Sequence, residues 1–208
     1  MVKIAVLVSG GGTNLQALID AQQAGKLTGG SIDLVVSSKV GAYALERAKK
    51  AGIDTEVVIK KECRDNEEYN QKLIDLLEER GIGLVILAGF MTVLSPAFCQ
   101  AFENRIINVH PALIPSFCGD GYYGLRVHQE ALKKGVKVTG ATVHFVNAVT
   151  DGGPIIAQKA VEVRQDDTPE SLQKRVMEQA EWILLPKAAS WFCQGKLTVE
   201  DGRVYMRD

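Results

Sequence analysis

The feature that most constrains the fold is a regular alternation of apolar runs and helix-forming segments over the first 110 residues. Each run is continuously rich in Val, Ile and Leu, as expected for a strand that is buried on both faces. The predicted strands are 3–9, 31–38, 55–59, 84–90 and 105–110. Segments with helical periodicity separate them and end at Gly25, Gly52 and Gly81, and Asn66 is the predicted N-cap of the third. This alternation predicts an α/β fold, with a doubly wound, mostly parallel sheet and helices on both faces.

The pattern changes after residue 110. Residues 111–125 contain Pro, Gly and aromatic residues without any period, which indicates a long loop, and long loops inside compact domains tend to be functional. Two further strands are predicted at 137–146 and 154–163, and the short "NAVTDGG" between them is compatible with an antiparallel pair. A final helix starts at a Thr-Pro-Glu cap, and "LTVEDGRVYM" predicts a hairpin with Asp-Gly in its turn. Without an internal repeat or linker, one domain over 1–208 is the simplest organisation.

Composition and charge exclude several classes of function. The net charge is −1 and no basic stripe is visible, which argues against a nucleic-acid partner. No two of the four cysteines form a CxxC pair, so we predict neither a metal site nor a redox motif. Reduced structural thiols fit a cytoplasmic protein. No segment is long and apolar enough to cross a membrane, and nothing in the sequence indicates an oligomeric state.

The first candidate site is the glycine run "SGGGTN", residues 9–14, between a predicted strand and helix. Backbone N–H groups converge there on the positive end of the helix dipole, and glycines allow a phosphate to approach the backbone. The run is neither a Walker A motif nor a dinucleotide fingerprint, because no Gly-Lys-Ser follows and Leu15 replaces the third glycine. It is therefore either a tight glycine-rich turn or a site for a single terminal phosphate, with Thr13 and Asn14 adding donors.

The second candidate site is the end of the fifth strand, "NVHP". Asn108 and His110 are separated by one residue, so their side chains leave the same face of an extended strand. Ligands of open α/β sheets bind beyond the carboxyl ends of the strands, and Pro111 ends this strand by removing the next donor. The pair is compatible both with a ligand site and with two satisfied polar residues at a strand edge.

The third candidate is Asp151 in "VTDGGP". An aspartate before two glycines and a proline suits a tight turn, and it can also orient a histidine and hold its proton. For His128 and His144, the other two histidines, a structural role is the prediction.

Taken together, the stretches "SGGGTN", "LAGFM", "NVHPALIPSF", "GATVHFV" and "DGGPII" resemble the phosphoribosylglycinamide formyltransferases, the folate-dependent transformylases of purine biosynthesis. The resemblance extends roughly from Lys3 to Trp191. It implies the formyltransferase fold, glycinamide ribonucleotide and 10-formyltetrahydrofolate as substrates, and no metal. It also divides the domain into a ribonucleotide-binding half (1–110), a folate-side half with the closing helix (111–195) and a C-terminal hairpin (196–208).

The resemblance implies a role for each group of site residues. Asn108, His110 and Asp151 match the catalytic trio of the family. We expect protonated His110 and the Asn108 amide to stabilise the oxyanion of a tetrahedral intermediate, with Asp151 favouring the imidazolium. Gly12, Thr13 and Asn14 match its phosphate cradle, and Glu181 matches the acidic residue that meets the ribose. The walls of the folate pocket match two segments: Met91, Thr92, Val93 and Leu94, and Asn147, Ala148, Val149 and Thr150.

Three positions depart from the family pattern. Thr92 stands where many members have Arg, Asn66 stands where many have another Arg, with Arg64 two positions earlier, and the 117–127 loop is longer than in some members. The related methionyl-tRNA formyltransferases add a C-terminal domain and the deformylases an N-terminal one, neither of which these 208 residues include. The alternative from another class is a non-catalytic nucleotide-binding module, which does not need the catalytic trio.

Overall fold

The computed structural model describes residues 1–207 and contains a seven-stranded sheet of order β3-β2-β1-β4-β5-β6-β7, with a separate two-stranded hairpin. The strands are β1 Val2–Val8, β2 Gly30–Ser37, β3 Asp54–Val57, β4 Leu84–Leu87, β5 Ile106–His110, β6 Val138–Phe145, β7 Ile155–Glu162, β8 Leu197–Glu200 and β9 Arg203–Met206. The α-helices are α1 Thr13–Gln23, α2 Tyr43–Lys50, α3 Asn66–Glu79, α4 Pro96–Ala101, α5 Leu125–Lys134, α6 Pro169–Val176 and α7 Trp182–Cys193.

The predicted α/β class and the mostly parallel, doubly wound sheet are confirmed. Strands β1 to β5 pair in parallel, whereas β6 pairs antiparallel with both β5 and β7. The order reverses between β1 and β4, which creates a crevice beyond their carboxyl ends where ligands of such sheets bind. The strand predicted at 84–90 is shorter than expected, because β4 ends at Leu87 and Gly89 takes a positive φ of 69°.

Two apolar layers cover the sheet. Ile107 and Val109 face the larger core, which contains the buried sides of α1, α2, α6 and α7. Ile106 faces the second core, which is built on α3 and α4. Because alternate residues of a strand face opposite sides, Asn108 and His110 lie on the α3/α4 side of β5 together with Ile106.

The N-terminal cap of α6 agrees with the sequence-based prediction, and that of α3 differs from it. Thr168 caps α6 as predicted and forms a reciprocal capping box with Ser171. The predicted Asn66 cap of α3 is wrong, because the Asp65 side chain accepts the N–H of Glu68 at 2.8 Å. Asp65 is the N-cap residue because its backbone is extended, whereas Asn66 already has helical geometry.

A π-helical turn over Met177–Glu181 joins α6 to α7, where the sequence predicted one uninterrupted helix. A π turn adds one residue to the helical repeat and so changes which residues face inward, and such turns are frequent at functional sites. The C-terminal hairpin forms around Asp201 and Gly202, which both have positive φ, as a tight Asp-Gly turn requires. Among residues 1–207, no helix has the length and apolarity needed to cross a membrane.

The glycines of "DGGP" have a packing reason that the structure makes visible. A Cβ on Gly153 would overlap the carbonyl of Phe145, whose own N–H donates to Pro154 O at 2.9 Å. A Cβ on Gly152 would lie 2.7 Å from the Val149 side chain. The β6–β7 connection therefore passes too close to β6 at Gly153 for a side chain, and at Gly152 it folds too tightly on itself for one.

We expect Gly153→Ala to destabilise the fold by about 1–3 kcal/mol, because the added methyl group forces the connection away from β6. Urea denaturation measures the change. Gly10→Ala is the matched control, since nothing lies within 4 Å of a Cβ at Gly10. Equal stability of the two variants would contradict the close approach.

Candidate functional site

The site is built around two side chains of β5. Asn108 and His110 share one face of the strand, as predicted, and His110 is only 4% exposed. Pro111 ends the strand directly afterwards, and the chain continues into the long loop. Thr142, opposite His110 on β6, holds that loop: its hydroxyl donates to Ala112 O at 2.7 Å and accepts the N–H of Ile114 at 3.0 Å. The loop therefore leaves β5 in a fixed direction over the histidine.

Asp151 reaches this face because the β6–β7 connection folds back. The connection begins beside Ile106, where Val146 N–H donates to Ile106 O at 2.9 Å. It then turns so that Asp151 Oδ2 lies 3.5 Å from His110 Nδ1. Asp151 has a positive φ of 53°, which aspartate tolerates better than most residues. The structure thus brings together the three residues proposed from the sequence as Asn108, His110 and Asp151.

The hydrogen bonds of His110 define where its proton is exchanged. Its Nε2 lies 2.8 Å from the carbonyl oxygen of Phe117, which can only accept, so Nε2 carries a hydrogen. Nδ1 faces the Asp151 carboxylate and is the nitrogen that gains or loses a proton. Burial lowers the pKa of His110 below its usual value, although the charge of Asp151 opposes this effect. His110 is therefore mainly neutral at pH 7, where the sequence-based mechanism assumed a protonated ring.

Asp151 is a buried carboxylate with several compensating partners. Its side chain is 8% exposed and accepts the N–H of Gly119 at 2.9 Å. Burial raises the pKa of Asp151, but the nearby His144 ring, the hydrogen bond from Gly119 and the charge of His110 outweigh it, so the pKa lies below its usual value. Asp151 is ionised at neutral pH, and its charge favours a proton on His110.

His144 belongs to this cluster, although the sequence analysis assigned it a structural role. Its Nε2 lies 3.6 Å from Asp151 Oδ1 and 3.2 Å from Asn108 Nδ2. Its Nδ1 donates to Phe145 O at 2.8 Å, so in the neutral ring Nε2 accepts from the Asn108 amide. His144 thus orients Asn108. This role could be found only from the pairing register of β5 and β6, in which Asn108 and His144 are direct partners. His128 is fully buried in α5, and burial lowers its pKa to about 4.

The glycine run forms a loop whose carbonyl and amide groups point in different directions. Gly10 O accepts the N–H of Ala44 at 3.1 Å, and Gly11 O accepts Arg47 Nε–H at 2.8 Å. Within residues 1–207, the N–H groups of Gly11, Gly12 and Thr13 donate to no protein acceptor. A Cβ on Gly12 would lie 2.7 Å from the Ala44 side chain, so the loop also packs closely on α2. The arrangement leaves free donors at the start of α1, as an anion site requires.

Asn14 and Glu181 meet beside this loop. Asn14 Nδ2 donates to Glu181 Oε2 at 2.8 Å, and Asn14 Oδ1 is buried with no partner among the described residues. Glu181 is the last residue of the π turn, which directs its carboxylate inward. Burial raises the pKa of Glu181 to about 7, and the hydrogen bond from Asn14 only partly opposes this. Asn14 and Glu181 therefore present an unpaired acceptor and a readily protonated carboxyl group.

The two segments assigned to the folate side flank the trio. Met91–Leu94 follows β4, which pairs with β5 from Val85 to Leu87, so the segment leaves the sheet beside Asn108. Asn147–Thr150 immediately precedes Asp151 and is exposed. Met91, Val93 and Val149 are exposed apolar side chains, at 52%, 74% and 64%. The two segments thus offer apolar walls on either side of the polar cluster.

The departures from the family pattern also have definite positions. Thr92 is half-buried in the first of these segments. Arg64 is bonded to Glu68 at 2.8 Å, and Asn66 is the first residue of α3. The long loop is tied to the second segment by Thr150 Oγ1, which donates to Asp120 at 2.8 Å. Among residues 1–207, no group of three or more His, Cys, Asp or Glu side chains could hold a metal ion.

Comparison with known proteins agrees with this geometry. The formyl transferase family model matches residues 2–188. The phosphoribosylglycinamide formyltransferase of Haemophilus influenzae is 40% identical over 206 residues, which are 99% of this chain and 94% of that protein. The Escherichia coli enzyme of the same name is 39% identical, over 98% of this chain and 92% of that protein. The crystal structure of glycinamide ribonucleotide transformylase 1 from Symbiobacterium toebii superposes with a TM-score of 0.94, at 41% identity, over 100% of this chain and 95% of that one.

The position of His144 leads to a prediction. His144→Phe keeps a ring of similar size but removes the acceptor for the Asn108 amide. We expect kcat to fall roughly fivefold, because about 1 kcal/mol of hydrogen bonding that orients Asn108 is lost, while KM values stay within about twofold. Steady-state kinetics measure both. His144→Gln is the matched variant, since its carboxamide oxygen can accept from Asn108 and restore part of the rate. Equal kcat in all three proteins would show that His144 only packs.

Proposed function

The chain belongs to the formyl transferase family, and we propose that it transfers the formyl group of 10-formyltetrahydrofolate to the primary amine of glycinamide ribonucleotide. The products are formylglycinamide ribonucleotide and tetrahydrofolate, so the reaction is a step of de novo purine biosynthesis. The observation that carries the proposal is the buried cluster of Asn108, His110 and Asp151, in a chain that aligns over almost its full length with enzymes named for this reaction.

Chemistry at the cluster begins when the amine attacks the formyl carbon and forms a tetrahedral intermediate with charge on oxygen. The Asn108 amide is the donor that meets this oxyanion, and its second N–H is fixed by His144. A donor that is already oriented costs no reorganisation as the charge develops.

Proton transfer follows from the resting state of His110. Neutral His110 takes a proton at Nδ1 from the nitrogen that has attacked, and the resulting imidazolium is stabilised by Asp151 at 3.5 Å. The imidazolium then gives the proton to the departing folate nitrogen as the carbon–nitrogen bond breaks. His110 is neutral again at the end, and no metal or covalent enzyme intermediate is needed.

The ribonucleotide occupies the crevice between β1 and β4. Its phosphate lies on the N–H groups of Gly12 and Thr13 at the start of α1, with Asn14 beside it. Glu181 meets a ribose hydroxyl, and the unpaired Asn14 Oδ1 supplies a further acceptor. This places the amine of the substrate toward the end of β5. We therefore propose residues 1–110 as the ribonucleotide-binding half, to which Glu181 of the closing helical region adds the ribose contact.

The folate is held from the other side. Met91, Thr92, Val93 and Leu94 form one wall of its pocket, and Asn147, Ala148, Val149 and Thr150 form the other. In the proposed division, residues 111–195 supply the second wall of the folate site and the closing helix, the first wall comes from 91–94 in the other half, and 196–208 form the hairpin. We further propose a cytoplasmic protein whose partners are these two small molecules, without nucleic acid or membrane partners.

One assay tests the function directly. The protein is incubated with 10-formyltetrahydrofolate and glycinamide ribonucleotide, and tetrahydrofolate formation is followed by absorbance. We expect product only when the ribonucleotide is present. Product without any acceptor would indicate a deformylase, and product only with methionyl-tRNA would indicate the tRNA enzyme. Binding of both substrates without turnover would support the non-catalytic alternative.

A second prediction concerns Asp151. Asp151→Asn removes the charge that favours protonated His110, so the pKa of His110 should fall further below its usual value. Neutral His110 then becomes a weaker base, and loss of general acid–base catalysis should lower kcat by about 10²–10⁴ while KM values change little. NMR titration of His110 and steady-state kinetics measure the two effects.

Asp201→Asn is the matched control for this variant, because Asp201 is also a turn aspartate with positive φ, at 49°, but lies in the hairpin. Its His110 titration and kcat should equal those of the wild type. If His110 titrates at the same pH in the Asp151→Asn protein and kcat is retained, Asp151 is only a turn former.

A third prediction concerns the folate side. Thr92→Arg adds a cation next to the proposed pocket, and it should strengthen binding of folates that carry the glutamate tail by pairing with a carboxylate. We expect about a tenfold lower Kd for such folates and no change for pterins without the tail, measured by calorimetry. Thr198→Arg makes the same substitution at a half-buried threonine of the C-terminal hairpin, outside the proposed pocket, and serves as the control. Equal gains for tailed and tailless ligands would refute this placement of Thr92.

A further inference from the structure

Ser9 lies where the two protein segments that are proposed to bind the substrates separate from each other. It is the first residue after β1 and is 5% exposed. The sheet pairing of β1 with β4 ends nearby, with Ala88 N–H donating to Leu7 O at 3.0 Å. Beyond this bond, β1 continues into the glycine loop and β4 continues toward Met91. The crevice between the two strands opens there.

A single hydrogen bond joins the two segments beyond the end of the sheet. Met91 N–H donates to Ser9 Oγ at 2.9 Å. Within residues 1–207, no other hydrogen bond links residues 9–14 with residues 89–94. The Ser9 hydroxyl is itself fixed by Ser38 Oγ at 2.7 Å, on the neighbouring strand side. Ser9 therefore ties the start of the glycine loop to the start of the Met91–Leu94 segment.

We propose that Ser9 is a positioning residue that couples the two substrate sites. The inference rests on the proposed function, which places the ribonucleotide phosphate on the glycine loop and the folate against Met91–Leu94. When the phosphate orders the loop, the hydrogen bond from Met91 holds the folate wall in the same arrangement. Binding of either substrate then strengthens binding of the other by the same factor, as linkage requires. Ser9 touches neither reacting atom.

Binding measurements without turnover test this coupling. Tetrahydrofolate lacks the formyl group, so its complex with glycinamide ribonucleotide cannot react. Calorimetry gives the Kd of tetrahydrofolate for the protein alone and for the protein saturated with the ribonucleotide. We expect the ratio of these two Kd values to be about fivefold or more for the wild type and close to one for Ser9→Ala.

Ser38→Ala is the matched control, because it removes the hydroxyl partner of Ser9 but leaves Ser9 Oγ to accept from Met91. It should keep most of the wild-type ratio. Ser9→Cys provides a second variant of similar size whose sulfur is a weak acceptor, and it should lose the coupling as Ser9→Ala does. Thermal unfolding of each variant shows whether the fold is intact.

Three outcomes would overturn the proposal: a wild-type ratio near one, an unchanged ratio in Ser9→Ala and Ser9→Cys, or an equal loss in Ser38→Ala. The proposed function fails in a different way, because the wild type would then form no product from 10-formyltetrahydrofolate and the ribonucleotide. Normal turnover without any coupling would refute only the proposed role of Ser9 and would leave the proposed function intact.

Discussion

The site depends on a buried carboxylate between two imidazoles. Asp151 is 3.5 Å from His110 and 3.6 Å from His144, with its side chain almost inaccessible to water. A charge in such a place is costly unless it is hydrogen-bonded or paired. The N–H of Gly119 supplies a hydrogen bond, and a proton on His110 adds the opposite charge. In the proposed mechanism, the same carboxylate stabilises the imidazolium of His110, so Asp151 and His110 favour each other's charged form while the proton is held.

This arrangement requires the mixed sheet. Helix α5 separates β5 from β6, as in a parallel crossover, but β6 then pairs antiparallel with β5. The antiparallel β6 places His144 directly across from Asn108 and starts the β6–β7 connection beside Ile106. Gly153 then lets the connection pass against the end of β6, and Gly152 lets it fold closely on Val149 within the connection itself. The reversal of strand direction therefore serves to deliver Asp151.

The parts of the fold and of the site that could be predicted from the sequence are those that depend on residues close together in the chain. Continuous apolar runs revealed the sheet, and the period of two placed Asn108 and His110 on one face. The position of Asp151 depends on how the nine-residue connection 146–154 folds back, and the role of His144 depends on strand register, neither of which can be read from neighbouring residues. The inward direction of Glu181 depends on the extra residue of a π turn, which the helical period does not reveal.

A reaction between two bound molecules requires that both be positioned relative to each other, which no single residue can achieve. The amine and the formyl carbon must be held in contact. Much of the rate advantage of such enzymes comes from orienting the reactants on binding, before the chemical step. In the proposed function, the two molecules are held by segments that leave the sheet on opposite sides of the crevice between β1 and β4. A misplacement of one segment relative to the other would separate the reacting atoms even if every individual contact were kept. Rigid attachment of both segments to adjacent central strands limits that misplacement, since β1 and β4 stay paired up to Leu7 and Ala88, just before the segments part.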